Sequence, residues 1–182
     1  SIFIINSISV SPISTLPAMV ALSEILSEII EPTKNSGGLY LSGSKPLKRK
    51  TCAGPRVGAA VTCMPTLSYA KLPQLQKAAK LRVPLCKDRV WPKAGPSVDQ
   101  TMSFIDHQRC AKLRNVLVHC AGGKHRSAAV VCKYLVYCGM CVDMDEALTR
   151  VRGIRGLVRP REQGPVLWRS LRKTILKKRR QI

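Results

Sequence analysis

Acidic residues are scarce in this sequence. Its 182 residues include 10 Asp and Glu against 31 Lys and Arg, which gives a formal net charge of +21. Such a charge attracts phosphoesters, nucleic acids and acidic membranes alike, so it selects no single partner. No Asp or Glu occurs between Glu31 and Asp88. Any carboxylate that serves chemistry in the first two thirds of the chain must therefore come from a very short list.

Aromatic residues are also few, at 4% of the chain. Proteins that bind single-stranded nucleic acid use aromatic side chains as faces on which the bases stack. A nucleic-acid-binding function fits the positive charge but lacks these faces, so we do not expect nucleic acid as a partner. Apolar residues, by contrast, make up 45% of the chain. This content argues against a disordered protein and favours one domain with its own core.

The sequence gives little sign of export. No basic segment precedes the short apolar run at residues 2–5, and Pro12 and Pro17 interrupt the residues that follow it. The chain is also long and rich in core-forming residues, so its 8 cysteines are not needed as a disulfide framework. We therefore expect reduced thiols in an intracellular protein, in the cytoplasm or the nucleus.

Apolar patterning predicts strands that alternate with helices. Residues 20–30 have the spacing of a short amphipathic helix, and another helix is predicted near residues 70–80. Residues 88–96 hold two prolines and a glycine and are predicted to be a loop, after which Ser97 and Gln100 form a capping box that starts a helix. Strands are predicted at residues 39–41, 57–63, 81–85 and 116–118. This alternation indicates an α/β fold with a mostly parallel central sheet flanked by helices.

The segment HCAGGKHRS, residues 119–127, lies between a predicted strand and a helix at 128–138 that is apolar nearly all round. A strand, a glycine-containing loop and a buried helix form the layout of a phosphate-binding loop at a helix N-terminus. Five residues separate Cys120 from Arg126. A loop of this length can turn its backbone N–H groups inward and form a nest for an anion.

The residue types in this loop suit phosphate chemistry. A helix N-terminus and nearby cations lower the pKa of a cysteine from about 8.5 toward about 3.5–7.5, which would make Cys120 a thiolate nucleophile. Arg126 can bind two phosphate oxygens through its planar guanidinium. Gly123 permits a backbone turn that a side chain would obstruct. The predicted phosphate-binding residues are Ala121, Gly122, Gly123, Lys124, His125 and Arg126.

The segment HCAGGKHRS resembles the HCxxGxxRS signature of the dual-specificity protein phosphatases, a family within the cysteine-based protein tyrosine phosphatase superfamily. The resemblance extends over residues 37–171, because GLYLSG is similar to the family's early strand and the sequences flanking the loop are similar to the surrounding helices. It implies a hydrolase that removes phosphate from phosphotyrosine, phosphoserine or phosphothreonine of proteins through a phosphocysteine intermediate. It implies neither a metal nor another cofactor.

The resemblance also implies roles for single residues. Cys120 would attack phosphorus in line, and Arg126 would clamp the phosphate. Ser127 would match the family hydroxyl that helps the phosphocysteine break down, and His119 would orient the loop and favour the thiolate. One departure from the family occurs after its last helix, where many members have proline followed by asparagine and here Pro160 is followed by Arg161.

The family's general acid is an aspartate on a mobile loop upstream of the cysteine. Asp88, Asp99 and Asp106 are the candidates within reach. Asp88 lies in the predicted loop that follows a strand, whereas the other two fall on the capped helix and are expected to face solvent. The resemblance therefore assigns the general acid to Asp88.

Other functions remain open at this point. A rhodanese-like sulfur carrier also holds a cysteine in an anion-binding loop, but such loops do not need Asp88 or Ser127. A phosphoinositide or inositol (pyro)phosphate phosphatase would use the same fold. Lys124 and His125 make the loop basic, and GKHR resembles the loop of plant and fungal members that act on inositol pyrophosphates, although an extra basic residue of those loops is missing. A non-enzymatic protein that binds anions or nucleic acid is the further alternative.

The remaining cysteines give two expectations. Cys138 and Cys141 form a CxxC without a second pair, which favours ordinary thiols over a metal site. Cys63 ends a predicted strand, and a similar position carries the partner cysteine in the regenerating-liver phosphatases. We therefore predict that oxidation links Cys63 to Cys120, with Cys86 as a second candidate partner.

The domain boundaries and partners follow from this interpretation. We expect residues 1–19 to be a poorly ordered leader, residues 20–171 to be the catalytic domain, and residues 172–182 to be a basic tail. The expected partners are phosphorylated protein substrates, with polyphosphorylated inositols or acidic lipids as alternatives. We expect the protein to be a monomer.

Overall fold

A five-stranded sheet with helices packed around it makes up the computed structural model, which describes residues 26–48, 55–69, 72–86 and 88–174. The strands are β1 (Ser27–Ile30), β2 (Leu39–Ser42), β3 (Ala59–Thr62), β4 (Ala79–Arg82) and β5 (Val116–His119). The α-helices in these ranges are α1 (Val98–Asp106), α2 (Arg126–Tyr137), α3 (Met144–Ile154), α4 (Pro160–Gln163) and α5 (Pro165–Lys173).

The strands are arranged in the order β1-β2-β5-β3-β4, so β5 lies in the middle of the sheet. Only β1 pairs antiparallel with its neighbour, and the other pairings of the described strands are parallel. All residues of β2, β3 and β5 are buried, because the α-helices cover one face of the sheet and two 3₁₀ turns, Pro46–Lys48 and Pro73–Leu75, pack on the other. The predicted α/β fold with a mostly parallel sheet is confirmed.

The pairing register brings three strand ends together. Ser42 of β2 and Thr62 of β3 are both paired with His119 of β5. Parallel strands place their carboxyl ends at the same edge of a sheet, where ligands of α/β proteins are usually bound. Residues 120–125 leave this edge and lead directly into α2, which is buried along most of its length. The candidate phosphate-binding loop therefore lies over the centre of the sheet.

Two predicted helices are wrong. Residues 27–30 form the strand β1, which pairs with residues 39–41 of β2, and residues 20–25 of that prediction lie outside the described residues. Near residues 70–80, the described residues form a short 3₁₀ turn at Pro73–Leu75 and then the strand β4. In both places pairing with a distant strand overrides the local helical spacing, since strand propensity depends strongly on tertiary context.

Local end signals predicted other boundaries correctly. Residues 88–96 form a loop, and α1 follows it. Ser97 caps α1, since its side chain accepts from Gln100 N at 3.1 Å and its own N–H donates to Gln100 Oε1 at 2.8 Å. A side-chain cap also begins α3, where Asp143 accepts from the N–H groups of residues 145 and 146. Within the described residues, no helix combines the length and the apolar character that crossing a bilayer requires.

Candidate active site

Cys120 lies at the bottom of the loop that joins β5 to α2, with only 2% of its surface exposed. Its sulfur accepts a hydrogen bond from Gly123 N at 3.2 Å and another from Ser127 Oγ at 3.1 Å. The helix α2 begins at Arg126 and directs its positive end toward the loop. Donors and a positive dipole thus converge on one buried sulfur.

These surroundings lower the pKa of Cys120 from its ordinary value. Burial by itself would raise the pKa, because it disfavours the charged thiolate. The hydrogen bonds from the side chain and backbone of Ser127, the charge of Arg126 and the backbone hydrogen bond of Gly123 together outweigh burial. Cys120 is therefore held as a thiolate over a wider pH range than an ordinary buried cysteine.

Replacing Ser127 with Ala should raise the pKa of Cys120, because the variant loses a hydrogen bond that stabilises the thiolate. Hydrogen bonds to charged groups contribute about 1.5–3 kcal/mol, which corresponds to a shift of about one to two pH units. Iodoacetamide alkylates the thiolate of Cys120, and mass spectrometry measures the rate of this reaction at each pH. The rate reports the fraction of Cys120 that is thiolate. That fraction is lost as the pH falls through the pKa, so the Ser127→Ala curve should lie at higher pH. Ser103→Ala, at an exposed serine of α1, is the control; coinciding curves would remove Ser127 from this role.

Gly123 has a positive φ of 65°, which other residues rarely adopt. A Cβ atom at this position would lie 2.5 Å from the carbonyl carbon of Ser42 and 2.6 Å from the nitrogen of Gly43. The contact is close from both sides, since a Cβ atom on Gly43 would lie 2.9 Å from the carbonyl oxygen of Ala121. The end of β2 therefore supports the loop by backbone packing that only glycine permits.

The carbonyl oxygens of the loop are held outward by donors elsewhere in the chain. Ala121 O accepts from Ser44 N at 3.0 Å, and Lys124 O accepts from Arg159 N at 2.9 Å. His125 O accepts from an N–H of α2, in the manner of a first helical turn. Gly123 N points the other way, to the Cys120 sulfur. The binding of an anion by the other N–H groups of this loop stays a prediction.

Arg126 contacts the segment that precedes the loop at residues 88–96. Arg126 is half-buried, and its Nη1 donates to Leu85 O at 3.3 Å. Asp88 follows three residues later and is exposed at the start of the loop. The predicted clamp and the predicted acid are thus tied to the same short segment.

The other two candidate acids lie on α1, and the expectation that they face solvent is wrong. Both are half-buried. Asp106 Oδ1 accepts from Tyr134 OH at 3.2 Å, and the same hydroxyl accepts from Arg109 at 2.9 Å. The carboxylate of Asp99 interacts with Lys133, whose pKa burial lowers and Asp99 raises. Both carboxylates thus take part in contacts between α1 and α2.

His119 is fully buried at the end of β5. Its Nε2 lies 2.8 Å from Thr62 Oγ1, which also accepts a hydrogen bond from Tyr69 OH at 2.9 Å. Burial, together with the charge of Arg82, lowers the pKa of His119 to about 4. A neutral imidazole supplies no positive charge to Cys120, so His119 acts through hydrogen bonding and packing alone. Sequence reasoning missed Thr62 and Tyr69, because nothing local marks them as partners of His119.

Arg155 was also missed by sequence reasoning. It is 1% exposed, and its guanidinium donates to Gly123 O at 3.3 Å and to Ser27 Oγ of β1 at 2.9 Å. Burial lowers the pKa of Arg155, and the Cys120 thiolate opposes that shift. Residues 155–159 therefore support the loop from behind. They do so although Pro160 is followed here by arginine, where many family members have asparagine.

Cys63 and Cys120 lie side by side at the ends of neighbouring strands. Each follows directly after the paired residues Thr62 and His119, and Cys63 N donates to His119 O at 2.8 Å. Adjacent strands are about 4.8 Å apart, which is within the range of about 4.4–6.8 Å between the Cα atoms of a disulfide. Both sulfurs are free thiols in the structure. Burial raises the pKa of Cys63 well above its ordinary value, and the charge of Cys120 raises it further, so Cys63 is protonated.

Mild peroxide should link these two cysteines. The Cys120 thiolate attacks one peroxide oxygen and becomes a sulfenic acid with release of hydroxide, and Cys63 then displaces water from that sulfur to form the disulfide. Mass spectrometry should find the Cys63–Cys120 link in the wild type and overoxidised Cys120 in Cys63→Ser. Cys86→Ser is the control, since Cys86 is the second candidate partner. A link to Cys86, or overoxidised Cys120 alone in the wild type, would contradict the assignment.

Several solved structures with a similar fold are phosphatases by name. Human DUSP28 is 24% identical, covers 74% of this chain and 89% of its own, and has a TM-score of 0.59. The PTP-2 phosphatase of Cydia pomonella is 18% identical, covers 82% and 89%, and has a TM-score of 0.60. DUSP15 is 23% identical, covers 78% and 85%, and has a TM-score of 0.58. At these identities the likeness shows a shared fold.

A family model extends the comparison to sequence. The model described as "Dual specificity phosphatase, catalytic domain" matches residues 39–174, which is well over half of the chain. The sequence matches none of the curated proteins with which it was compared. The matched range contains β2 to β5, the helices, and the whole loop from Cys120 to Ser127. The chain therefore belongs to the dual specificity phosphatase family.

Proposed function

We propose that this protein is a protein phosphatase that hydrolyses phosphotyrosine, phosphoserine and phosphothreonine through a phosphocysteine intermediate. The observation that carries the proposal is the set of groups around the Cys120 sulfur. A buried thiol with a lowered pKa lies at a helix N-terminus, accepts two hydrogen bonds and interacts with the charge of Arg126. Such a site binds a phosphate dianion and places a nucleophile directly beneath the phosphorus atom.

In the first step, the Cys120 thiolate attacks phosphorus, the S–P bond forms and the bond to the leaving oxygen breaks. Asp88 gives its proton to that oxygen, so the substrate leaves as a neutral alcohol or phenol. The equatorial oxygens of the transferring group carry the charge, and Arg126 and the N–H groups of the loop stabilise it.

In the second step, a water molecule attacks the phosphocysteine. Asp88, now a carboxylate, accepts a proton from the water as the O–P bond forms and the S–P bond breaks. The departing sulfur becomes a thiolate again, and the Ser127 hydroxyl, 3.1 Å from it, donates a hydrogen bond to the developing charge. Inorganic phosphate then leaves the loop.

A second candidate keeps the same chemistry but changes the substrate. Lys124 lies half-buried on the loop two residues before Arg126, and the chain has a net charge of +21. Both features favour polyphosphorylated inositols or the headgroups of acidic lipids, which carry several phosphates close together.

A phosphate-release panel separates the two candidates. Phosphopeptides of all three residue types, phosphoinositides in vesicles and soluble inositol phosphates would be compared by kcat/KM, with Cys120→Ser as the blank. We expect the phosphopeptides to be the best substrates. Higher kcat/KM for inositol phosphates or lipids would replace the first candidate by the second, and no release from any of them would overturn the proposed function.

A further inference from the structure

The helix α5 has one face that neither the core nor an ion pair uses. Leu167, Trp168 and Leu171 are buried in the core. On another side, Arg172 Nη2 lies 3.2 Å from Asp145 Oδ2 of α3. The remaining face lines a groove of about 440 Å³, whose lining residues are Val90, Val166, Arg169, Ser170, Lys173 and Thr174.

Among the described residues, no acidic side chain neutralises the charge of this groove. Arg169 and Lys173 are one helical turn apart on α5, and both are exposed. In the described part of the chain neither of them forms an ion pair, and no carboxylate lines the groove. Arg161 and Arg172, by contrast, both contact the single carboxylate of Asp145. Within the described residues, the groove therefore offers two cations outside any ion pair and the Ser170 hydroxyl beside two valines, which suits a partly apolar, negatively charged ligand.

The groove adjoins the candidate active site. Val90 forms part of its wall, is 58% exposed and lies two residues after Asp88. The opposite wall is fixed to α2, because Lys133 Nζ donates to Thr174 O at 2.8 Å. Lys133 lies seven residues beyond Arg126 on α2, which is about 10 Å along the helix axis. An extended peptide crosses that distance in about three residues.

We propose that this groove binds an acidic segment of the substrate, about three residues from the phosphorylated side chain. Carboxylates or a second phosphate pair with Arg169 and Lys173, the hydroxyl of Ser170 donates a hydrogen bond, and Val90 contacts the apolar part of the segment. The proposal rests on the proposed protein phosphatase function and gives it a substrate class, namely phosphoproteins with acidic sequence on one side of the phosphorylated residue.

The test compares phosphopeptides that differ only in their flanks: alanine, Asp/Glu, or a second phosphoserine, placed before or after the phosphorylated residue. The wild type should favour anionic flanks on one side by about tenfold in kcat/KM at low salt, as two exposed charge pairs allow. Arg169→Gln/Lys173→Gln should lose that preference and keep its kcat/KM for a small aryl phosphate. The Asp/Glu and phosphoserine arms show which anion the groove prefers.

The matched control is Arg161→Gln/Arg172→Gln, which removes the same charge from cations already paired with Asp145. An equal loss of the preference in this control, or an equal loss of kcat/KM on alanine-flanked peptides, would overturn the proposal.

A second measurement does not depend on turnover: an unphosphorylated acidic peptide should shift the NMR signals of the Val90, Arg169 and Ser170 amides in the wild type only. If the protein releases phosphate from no peptide, the proposed function is wrong, but the NMR shifts still test whether the groove binds an acidic peptide. NMR shifts that are absent, or that spread over the whole chain, would contradict binding in the groove.

Discussion

Cys120→Ser should abolish phosphate release from every substrate while leaving phosphopeptide binding in place. The serine hydroxyl ionises far less readily than the thiol, so the surroundings that hold a thiolate at this position cannot make an equivalent nucleophile. The N–H groups of the loop and Arg126 remain, and these are the groups that we propose to bind phosphate. Steady-state phosphate release and titration with a labelled phosphopeptide measure the two properties separately.

Cys110→Ser is the control for this variant, since Cys110 lies outside the candidate site, in the turn after α1. It should keep wild-type turnover. Turnover of Cys120→Ser within tenfold of the wild type would remove the cysteine from the role of nucleophile. Loss of both turnover and phosphopeptide binding, with an unchanged melting temperature, would mean that the thiolate mainly shapes the loop.

Asp88→Asn should reduce kcat by about 10²–10⁴ on phosphoserine peptides, the usual contribution of a general acid. An alkoxide is a poor leaving group and needs the proton from Asp88. The loss should be much smaller on an activated aryl phosphate, because its phenolate leaves without protonation.

Asp99→Asn is the matched control, because Asp99 lies on α1 and interacts with Lys133. It should leave the ratio of the two substrates unchanged. Equal losses on both substrates for Asp88→Asn would show that Asp88 supports the loop at residues 88–96 rather than donating the proton.

The parts of the fold that the sequence predicts well depend on local signals. The loop from Cys120 to Ser127 is recognisable because one short segment contains the proposed nucleophile, the glycine and the arginine. The start of α1 is set by Ser97 and Gln100, which contact each other directly. The central strand β5 is marked by its apolar run. Each signal lies within a few residues of the structure that it specifies.

The parts that sequence analysis missed depend on contacts between distant residues. The strand β1 has helical spacing in the sequence, and it is a strand because β2 pairs with it. Arg155 reaches both Gly123 and Ser27, which are 32 and 128 residues away in the chain. Likewise, the low pKa of His119 results from burial, which no local pattern encodes. Such features become visible only when the sheet order is known.

The position of β5 between β2 and β3 also affects which parts of the protein open first. Backbone amides exchange their hydrogens with solvent by local openings, and these cost most free energy where strands are paired on both sides and fully buried. Cys120 follows such a strand, and its loop is bonded to Ser44, Arg155 and Arg159. Residues 88–90 are exposed. Openings that release Asp88, the proposed acid, therefore cost less free energy than openings that disturb Cys120, so Asp88 can move while Cys120 stays in place.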